Sequence, residues 1–455
     1  DGVRLHMQRH TDGVATSEDF IQSLAEGSER TEIGAAFTSF IEQPGVPLIS
    51  LNVSCEQGQK PRLELSQSRY APLGSSIDTD ASTWQVPVCL SLVVAGDRDS
   101  STCLLLDQKQ QSVALDTNSC PTAVHPNADG AGYYRFALDD GAWQDLLGVA
   151  DNLPATEALA LVDSLDAGFS SGVVGADAFV AGMTQLVNHD TWDVADAVID
   201  KLEAVADIIP VEQREPVLQS FRTIVRPRFD RVTNPDDAGS QILRQSLQRF
   251  LVVVARNPEM RAPLAQMAAA RVGIDGDPDP GAVPADQLES VLTVGVQELG
   301  DDFFVALLEQ AIDSSDPAFR LAAISALSVT DDPALVGRLH DTLLSGRLKG
   351  TESLQFLFGL MDNPGSSELT FAWMQQNSDV IIDSIPESFR SGIVPVLGSS
   401  FCTSQQANAW QGFVVANADK IPGYERRLAQ TMEGISLCAA LRDARAAALI
   451  DALTT

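Results

Sequence analysis

His125-Pro126-Asn127-Ala128-Asp129-Gly130-Ala131-Gly132-Tyr133-Tyr134-Arg135-Phe136-Ala137-Leu138 separates two kinds of sequence. Upstream, from Val46, short alternating runs are broken by Gly, Asp, Ser and Asn. Downstream, from Asp139-Asp140-Gly141-Ala142-Trp143, apolar residues recur at helical spacing almost to the end. Within the stretch, Pro126, Asn127, Gly130 and Gly132 favour turns, whereas Tyr133, Tyr134 and Phe136 favour a strand. The prediction is a tight loop feeding one last strand at a seam between a β region and a helical one.

Working upstream, Leu48–Val53, Leu63–Gln67 and Trp84–Leu90 are the clearest strands, followed by Thr102–Leu106 and Val113–Leu115. About five to seven short strands at this spacing predict a small antiparallel β-sandwich over residues 46–138. Four of the six cysteines, Cys55, Cys89, Cys103 and Cys120, lie in this region; Cys402 and Cys438 lie near the C-terminus. None has C-x-x-C spacing, so zinc is the weaker reading for them. Cys89 and Cys103 flank a turn expected at Gly96-Asp97-Arg98-Asp99, which favours pairing them across a hairpin and leaves Cys55 with Cys120. Four cysteines still allow three connectivities. Cys402 with Cys438 would tie two C-terminal helices. Disulfides imply an oxidising compartment, periplasmic or extracellular; buried free thiols in a cytosolic protein are the alternative.

Before Val46 the sequence is helical, with Thr16 or Ser17 as N-cap for a helix carrying Phe20, Ile21 and Leu24. After the seam, Thr156–Ala167, Ala176–Leu186, Trp192–Ala206, Gln241–Arg256 and Asp301–Ile312 read as amphipathic helices, with a longer loop at residues 273–285. Asp316-Pro317-x-x-Arg320-x-Ala322-x-x-Ser325-Ala326-Leu327, followed by Asp332-Pro333-Ala334-Leu335, resembles a HEAT-type repeat, in which helix pairs stack into a solenoid. The fold class expected is therefore multidomain α+β: a small antiparallel β-sandwich followed by a large all-α HEAT-like solenoid.

With 455 residues, the chain has room for about two to four domains. Its 62 acidic and 30 basic residues give a net charge of -32, with lysine confined to Lys60, Lys109, Lys201, Lys349 and Lys420. Binding phosphates needs clustered cations, so nucleic acid and anionic membranes are poor partners. No uncharged apolar run of about 18 residues reads as a membrane span, and no signal-peptide pattern opens the chain.

The residue order resembles the aminopeptidase N family of zinc aminopeptidases, most specifically at Gly132-Tyr133-Tyr134-Arg135. Further matches are Gly2-Val3-Arg4, Ala15-Thr16-Ser17-Glu18-Asp19-Phe20, Gly45-Val46-Pro47, Gln67-Ser68-Arg69-Tyr70 with Trp84-x-x-Pro87, and residues 423–435. The resemblance implies that residues 1–45 are the helical tail of a catalytic domain, 46–138 a β domain and 139–455 a C-terminal helical cap that controls access of peptides to the active-site cavity. It implies an upstream catalytic domain as partner, peptides as substrates and zinc as the parent enzyme's cofactor, with none expected in this chain. Asp1-Gly2-Val3-Arg4 reads as a boundary inside a longer protein. The five histidines, His6, His10, His125, His189 and His340, form no His-Glu-x-x-His, and there is no Gly-Ala-Met-Glu-Asn; no catalytic or metal residue is assigned, and the chain alone is expected to be inactive. His6 and His10 stand at i and i+4 with Glu29 beyond them, a gluzincin ligand spacing, but Met7 cannot act as the general base that zinc-bound water requires. Solvated helix histidines are the simpler reading. Arg426 and Arg427 are candidates for a peptide's C-terminal carboxylate, set against surface arginines paired with Glu425 or Asp443. The alternative function is a free-standing β-sandwich plus HEAT-like scaffold that binds a protein or peptide.

Overall fold

A computed structural model describes residues 1–29, 32–94, 96–98, 101–233 and 237–455. They form two compact units, Asp1–Val198 and Ile199–Thr455. The chain is mostly helical, with a small β region in its first unit.

The first unit opens with α1 (Gly2–Arg9), α2 (Ser17–Ser28) and α3 (Glu32–Glu42). Thr16 begins α2: its hydroxyl accepts from the Asp19 N–H at 3.2 Å while the Asp19 carboxylate accepts from the Thr16 N–H at 2.9 Å. This reciprocal pair satisfies two donors that a helix start otherwise leaves open.

Among the described residues, eight strands follow: β1 (Pro47–Ser54), β2 (Arg62–Arg69), β3 (Val86–Val94), β4 (Asp97–Arg98), β5 (Thr102–Leu106), β6 (Gln110–Ala114), β7 (Ala123–His125) and β8 (Arg135–Ala137). One sheet runs β6-β2-β1-β8; in the other, β3 pairs with β4, β5 and β7. Pairing is antiparallel except between β1 and β8. Strand alternation sends Ile49, Leu51, Leu63 and Leu65 inward and leaves Ser50, Asn52 and Glu64 exposed. Gln67 is a polar residue on a buried face. Its amide exchanges two hydrogen bonds with the Trp84 backbone just before β3, at 2.8 and 2.9 Å, and donates to the Leu106 carbonyl on β5 at 3.3 Å, linking the two sheets. Cys89 and Cys103 are directly opposed in the β3–β5 register and are disulfide-bonded, as are Cys55 with Cys120 and, in the second unit, Cys402 with Cys438. Asp99, part of the turn expected between β3 and β5, lies outside the described residues.

At the seam the last strand is shorter than its aromatic content predicts, beginning at Arg135. The preceding residues are fixed by side chains instead of a sheet ladder. Asn127 donates to the Gly132 carbonyl at 2.9 Å and accepts from its N–H at 2.8 Å. The Tyr134 hydroxyl donates to the Pro126 carbonyl at 2.6 Å. A Cβ on Gly132 would stand 2.0 Å from the Tyr134 ring, so only glycine permits that approach. The Asn127 N–H donates to Nδ1 of buried His125 at 3.2 Å, so Nε2 carries the proton donated to the Glu157 carbonyl at 3.0 Å. Helices α4 (Asp140–Leu147), α5 (Ala155–Ser171) and α6 (Ala176–Leu186) complete this unit, and α7 (Trp192–Ala206) leads into the next.

The second unit contains α8 (Arg214–Arg231), α9 (Ala238–Arg249), α10 (Pro258–Val272), α11 (Leu288–Glu298), α12 (Gly300–Asp313), α13 (Pro317–Leu327), α14 (Pro333–Leu344), α15 (Gly350–Asp362), α16 (Ser367–Gln376), α17 (Ser378–Ser384), α18 (Glu387–Ile393), α19 (Ser404–Ala416) and α20 (Glu425–Thr454). Asp316 and Asp332 cap α13 and α14, each just ahead of a proline at the first helical position, where the missing N–H costs nothing. The helix expected over Gln241–Arg256 ends early: a π-helical turn, Phe250–Val254, follows α9, and Arg256 takes a left-handed φ of 49°. Among the described residues, apolar clusters around Phe303, Leu307 and Leu327 and around Met374, Trp410 and Ile435 hold the unit. Arg320 on α13 and Glu352 on α15 are bonded side by side at 2.7 and 2.6 Å and are both buried; the same guanidinium also donates to the Ile312 carbonyl.

Candidate functional site

The two units offer different kinds of surface. In the first, a shallow trough of about 740 Å³ lies over the outer face of β1, β2 and β6, lined by Ser50, Asn52, Glu64, Ser66 and Ser112. These are the solvent-facing positions of alternating strands, uncharged except for Glu64. In the second, a cavity of about 600 Å³ gathers charge, with Asp207, Arg214, Asp362 and Arg442 in its lining. Asp207 follows the end of α7, Arg214 opens α8, Asp362 ends α15, and Arg442 lies within α20.

Backbone contacts hold the two arginines. Arg214 donates through Nε to the Ile209 carbonyl at 3.2 Å, and Arg442 donates through Nη2 to the Asp207 carbonyl at 2.9 Å. The Cys402–Cys438 disulfide stands in the same wall and fixes α20 against the turn before α19. Asp207 and Asp362 are open to solvent, but both carboxyls are raised above the usual range by the low-dielectric protein around them. Neighbouring Glu203 and Asp362 push Asp207 further up, while Arg214 and Arg442 oppose the shift. Burial likewise lowers Arg214. Among the described residues, none of these four groups forms an ion pair.

Of the residues singled out from sequence, Arg426 and Arg427 are exposed at the start of α20, and Arg427 donates to Gln430 at 3.2 Å. His6 and His10 come together, with ring centroids 4.7 Å apart, and His6 meets the edge of Phe20. Among the described residues, no three His, Cys, Asp or Glu side chains are grouped to hold a metal ion. The four cavity residues are absent from any sequence motif, because 235 residues separate Asp207 from Arg442.

Residues 123–437 match the family model described as the ERAP1-like C-terminal domain. The match covers well over half the chain. The chain belongs to the ERAP1-like C-terminal domain family. Two relatives agree with that family and with the resemblance to the aminopeptidase N family. The alanine/arginine aminopeptidase of Saccharomyces cerevisiae is 22% identical over 446 residues, covering 95% of this chain and 50% of the relative. Tricorn protease-interacting factor F2 of Thermoplasma volcanium is 20% identical over 412 residues, covering 87% of this chain and 47% of the relative. The chain thus spans about half the length of these curated relatives. The ERAP1-like domain match begins at Ala123, the first residue of β7, and so includes the seam, Cys402 and the cavity residues Asp207, Arg214 and Asp362, but stops short of Cys438 and Arg442.

Proposed function

We infer that this chain is the non-catalytic C-terminal region of a zinc-dependent aminopeptidase that removes N-terminal residues from peptides. The observation that carries the inference is the ERAP1-like C-terminal domain match over residues 123–437, in a chain aligned with half of an aminopeptidase. In this account residues 1–45 close the catalytic domain, 46–138 form a sandwich-like spacer, and 139–455 form a HEAT-like helical cap that limits which peptides reach the zinc. The zinc and its ligands belong to the upstream domain. Arg426 and Arg427, exposed and without acidic partners among the described residues, are assigned to a peptide's C-terminal carboxylate. Three disulfides in the fold favour an exported protein.

The test is zinc content and hydrolysis of an aminoacyl chromogenic substrate by the purified 455-residue chain. A folded chain with no stoichiometric zinc and no hydrolysis is expected. Tight zinc binding with activity would overturn the assignment and direct mutagenesis to His6, His10 and Glu29.

A further inference from the structure

The charged cavity of the second unit combines features that ordinary surface charge does not. Its two guanidinium groups and two carboxyl groups lie close enough to perturb one another, yet no two of them pair among the described residues. Opposite charges on free side chains gain by closing to hydrogen-bond distance. Here they stay apart, with Arg214 bonded through Nε to the Ile209 carbonyl and Arg442 through Nη2 to the Asp207 carbonyl. Both Nη nitrogens of Arg214 and the carboxylate of Asp207 are left without a protein partner among the described residues. The groups stay in contact with solvent, and the lining also takes in the buried residues Ile209, Met361 and Phe401.

The charge balance restricts the occupant. Glu212 and Glu368 also line the cavity, so four carboxyls face two guanidiniums. A simple anion would meet the arginines but be repelled by the acidic majority. A simple cation would meet the carboxyls but leave the guanidinium groups unsatisfied. A molecule carrying both charges on adjacent atoms completes both sets, and about 600 Å³ accommodates one the size of an amino acid or dipeptide.

We propose that this cavity binds a small zwitterion of the amino-acid class, its carboxylate held by Arg214 and Arg442 and its ammonium by Asp207 and Asp362. The site is distinct from Arg426 and Arg427, and it stands on the cavity's geometry whether or not the parent protein is a peptidase.

The 455-residue chain is titrated calorimetrically with L-leucine, N-acetyl-L-leucine and L-leucinamide, which carry both charges, the carboxylate alone and the ammonium alone. Saturable binding of leucine is expected, with each blocked form weaker by about tenfold or more, since each loses a charge-assisted contact. Arg214→Gln and Asp207→Asn should each weaken leucine binding by about tenfold while leaving the thermal unfolding temperature of the free chain unchanged. If Arg214→Gln perturbs folding, Asp362→Asn gives the same reading from the opposite charge. The proposal is overturned if leucine shows no saturable binding up to about 10 mM, if N-acetyl-leucine binds as tightly as leucine (an anion site), if leucinamide does (a cation site), or if both charge-removing variants bind leucine as the parent chain does.

Discussion

Two sets of arginines and carboxylates in the second unit are treated in opposite ways. Arg320 and Glu352 are buried, bonded side by side at 2.7 and 2.6 Å, with further backbone bonds to the Ile312 carbonyl and from the Lys349 N–H. Asp207, Arg214, Asp362 and Arg442 face a cavity, remain in contact with solvent and do not pair among the described residues. The first set has spent its hydrogen-bonding capacity on joining α13 to α15, which is a structural use of charge. The second has spent less of it: each arginine donates to one backbone carbonyl and Asp362 is bonded to Ser400, while the Asp207 carboxylate has no protein partner among the described residues. The contrast separates charge that holds the fold from charge available to a ligand, and mutation can test the division directly.

The largest effect belongs to the buried pair. Arg320→Met strands the Glu352 carboxylate inside the unit, and denaturant unfolding should show a loss of about 3–5 kcal/mol. Arg320 also holds Glu352 down to about 2. Because this folded value lies below the unfolded one, the pair's contribution is complete above pH 4.5 and disappears as pH falls toward 2. Acid unfolding of the parent chain should therefore be steeper in that window than that of the double variant Arg320→Met with Glu352→Leu.

The seam extends the comparison to the first unit, where polar side chains are again spent on structure. Gly132→Ala places a Cβ against the buried Tyr134 ring and should lower stability by about 2–3 kcal/mol, read by thermal or denaturant unfolding. A loss under about 0.5 kcal/mol would mean that the loop does not depend on this close approach.

His340 gives a smaller, pH-dependent effect. It is buried, stacked on Trp373 at 4.3 Å and bonded to the Thr370 hydroxyl at 3.1 Å, and burial lowers it to about 4 from 6.5. The unfolded chain takes up this proton first, so stability is full above pH 6.5 and falls as pH drops toward 4. His340→Gln should flatten the stability profile across that interval.

The smallest effect is expected in the cavity. Asp207→Asn removes a carboxyl that burial already disfavours as a charge, so stability at neutral pH should change by no more than about 0.5 kcal/mol. A loss as large as that of Arg320→Met would show that the cavity charges are structural after all.

Local chemistry was the legible part. Asn127, Gly130 and Gly132 mark the seam because turn residues act on their own neighbours, and Thr16 marks a helix start for the same reason. Cys89 and Cys103 could be placed opposite one another because a hairpin fixes its register, and the structure pairs them in that register. The strand at Tyr133 and Tyr134 came out shorter because a tertiary contact, the Tyr134 hydroxyl on Pro126, overrides strand propensity. The cavity was illegible: its residues come from three stretches far apart in sequence, around 207–214, at 362 and at 442, and no spacing rule links them. Arg426 and Arg427 draw attention as neighbours in the chain, whereas the arginine of α20 that reaches the cavity is Arg442, four turns further along the helix.

The central claim, that the helical region acts as a cap on a zinc aminopeptidase, is tested most directly by combining the upstream catalytic region with this chain and measuring hydrolysis rate against peptide length. Addition of the chain should shift the length preference while contributing no activity of its own. A length profile identical with and without the chain, once binding of the two parts has been verified, would contradict the account.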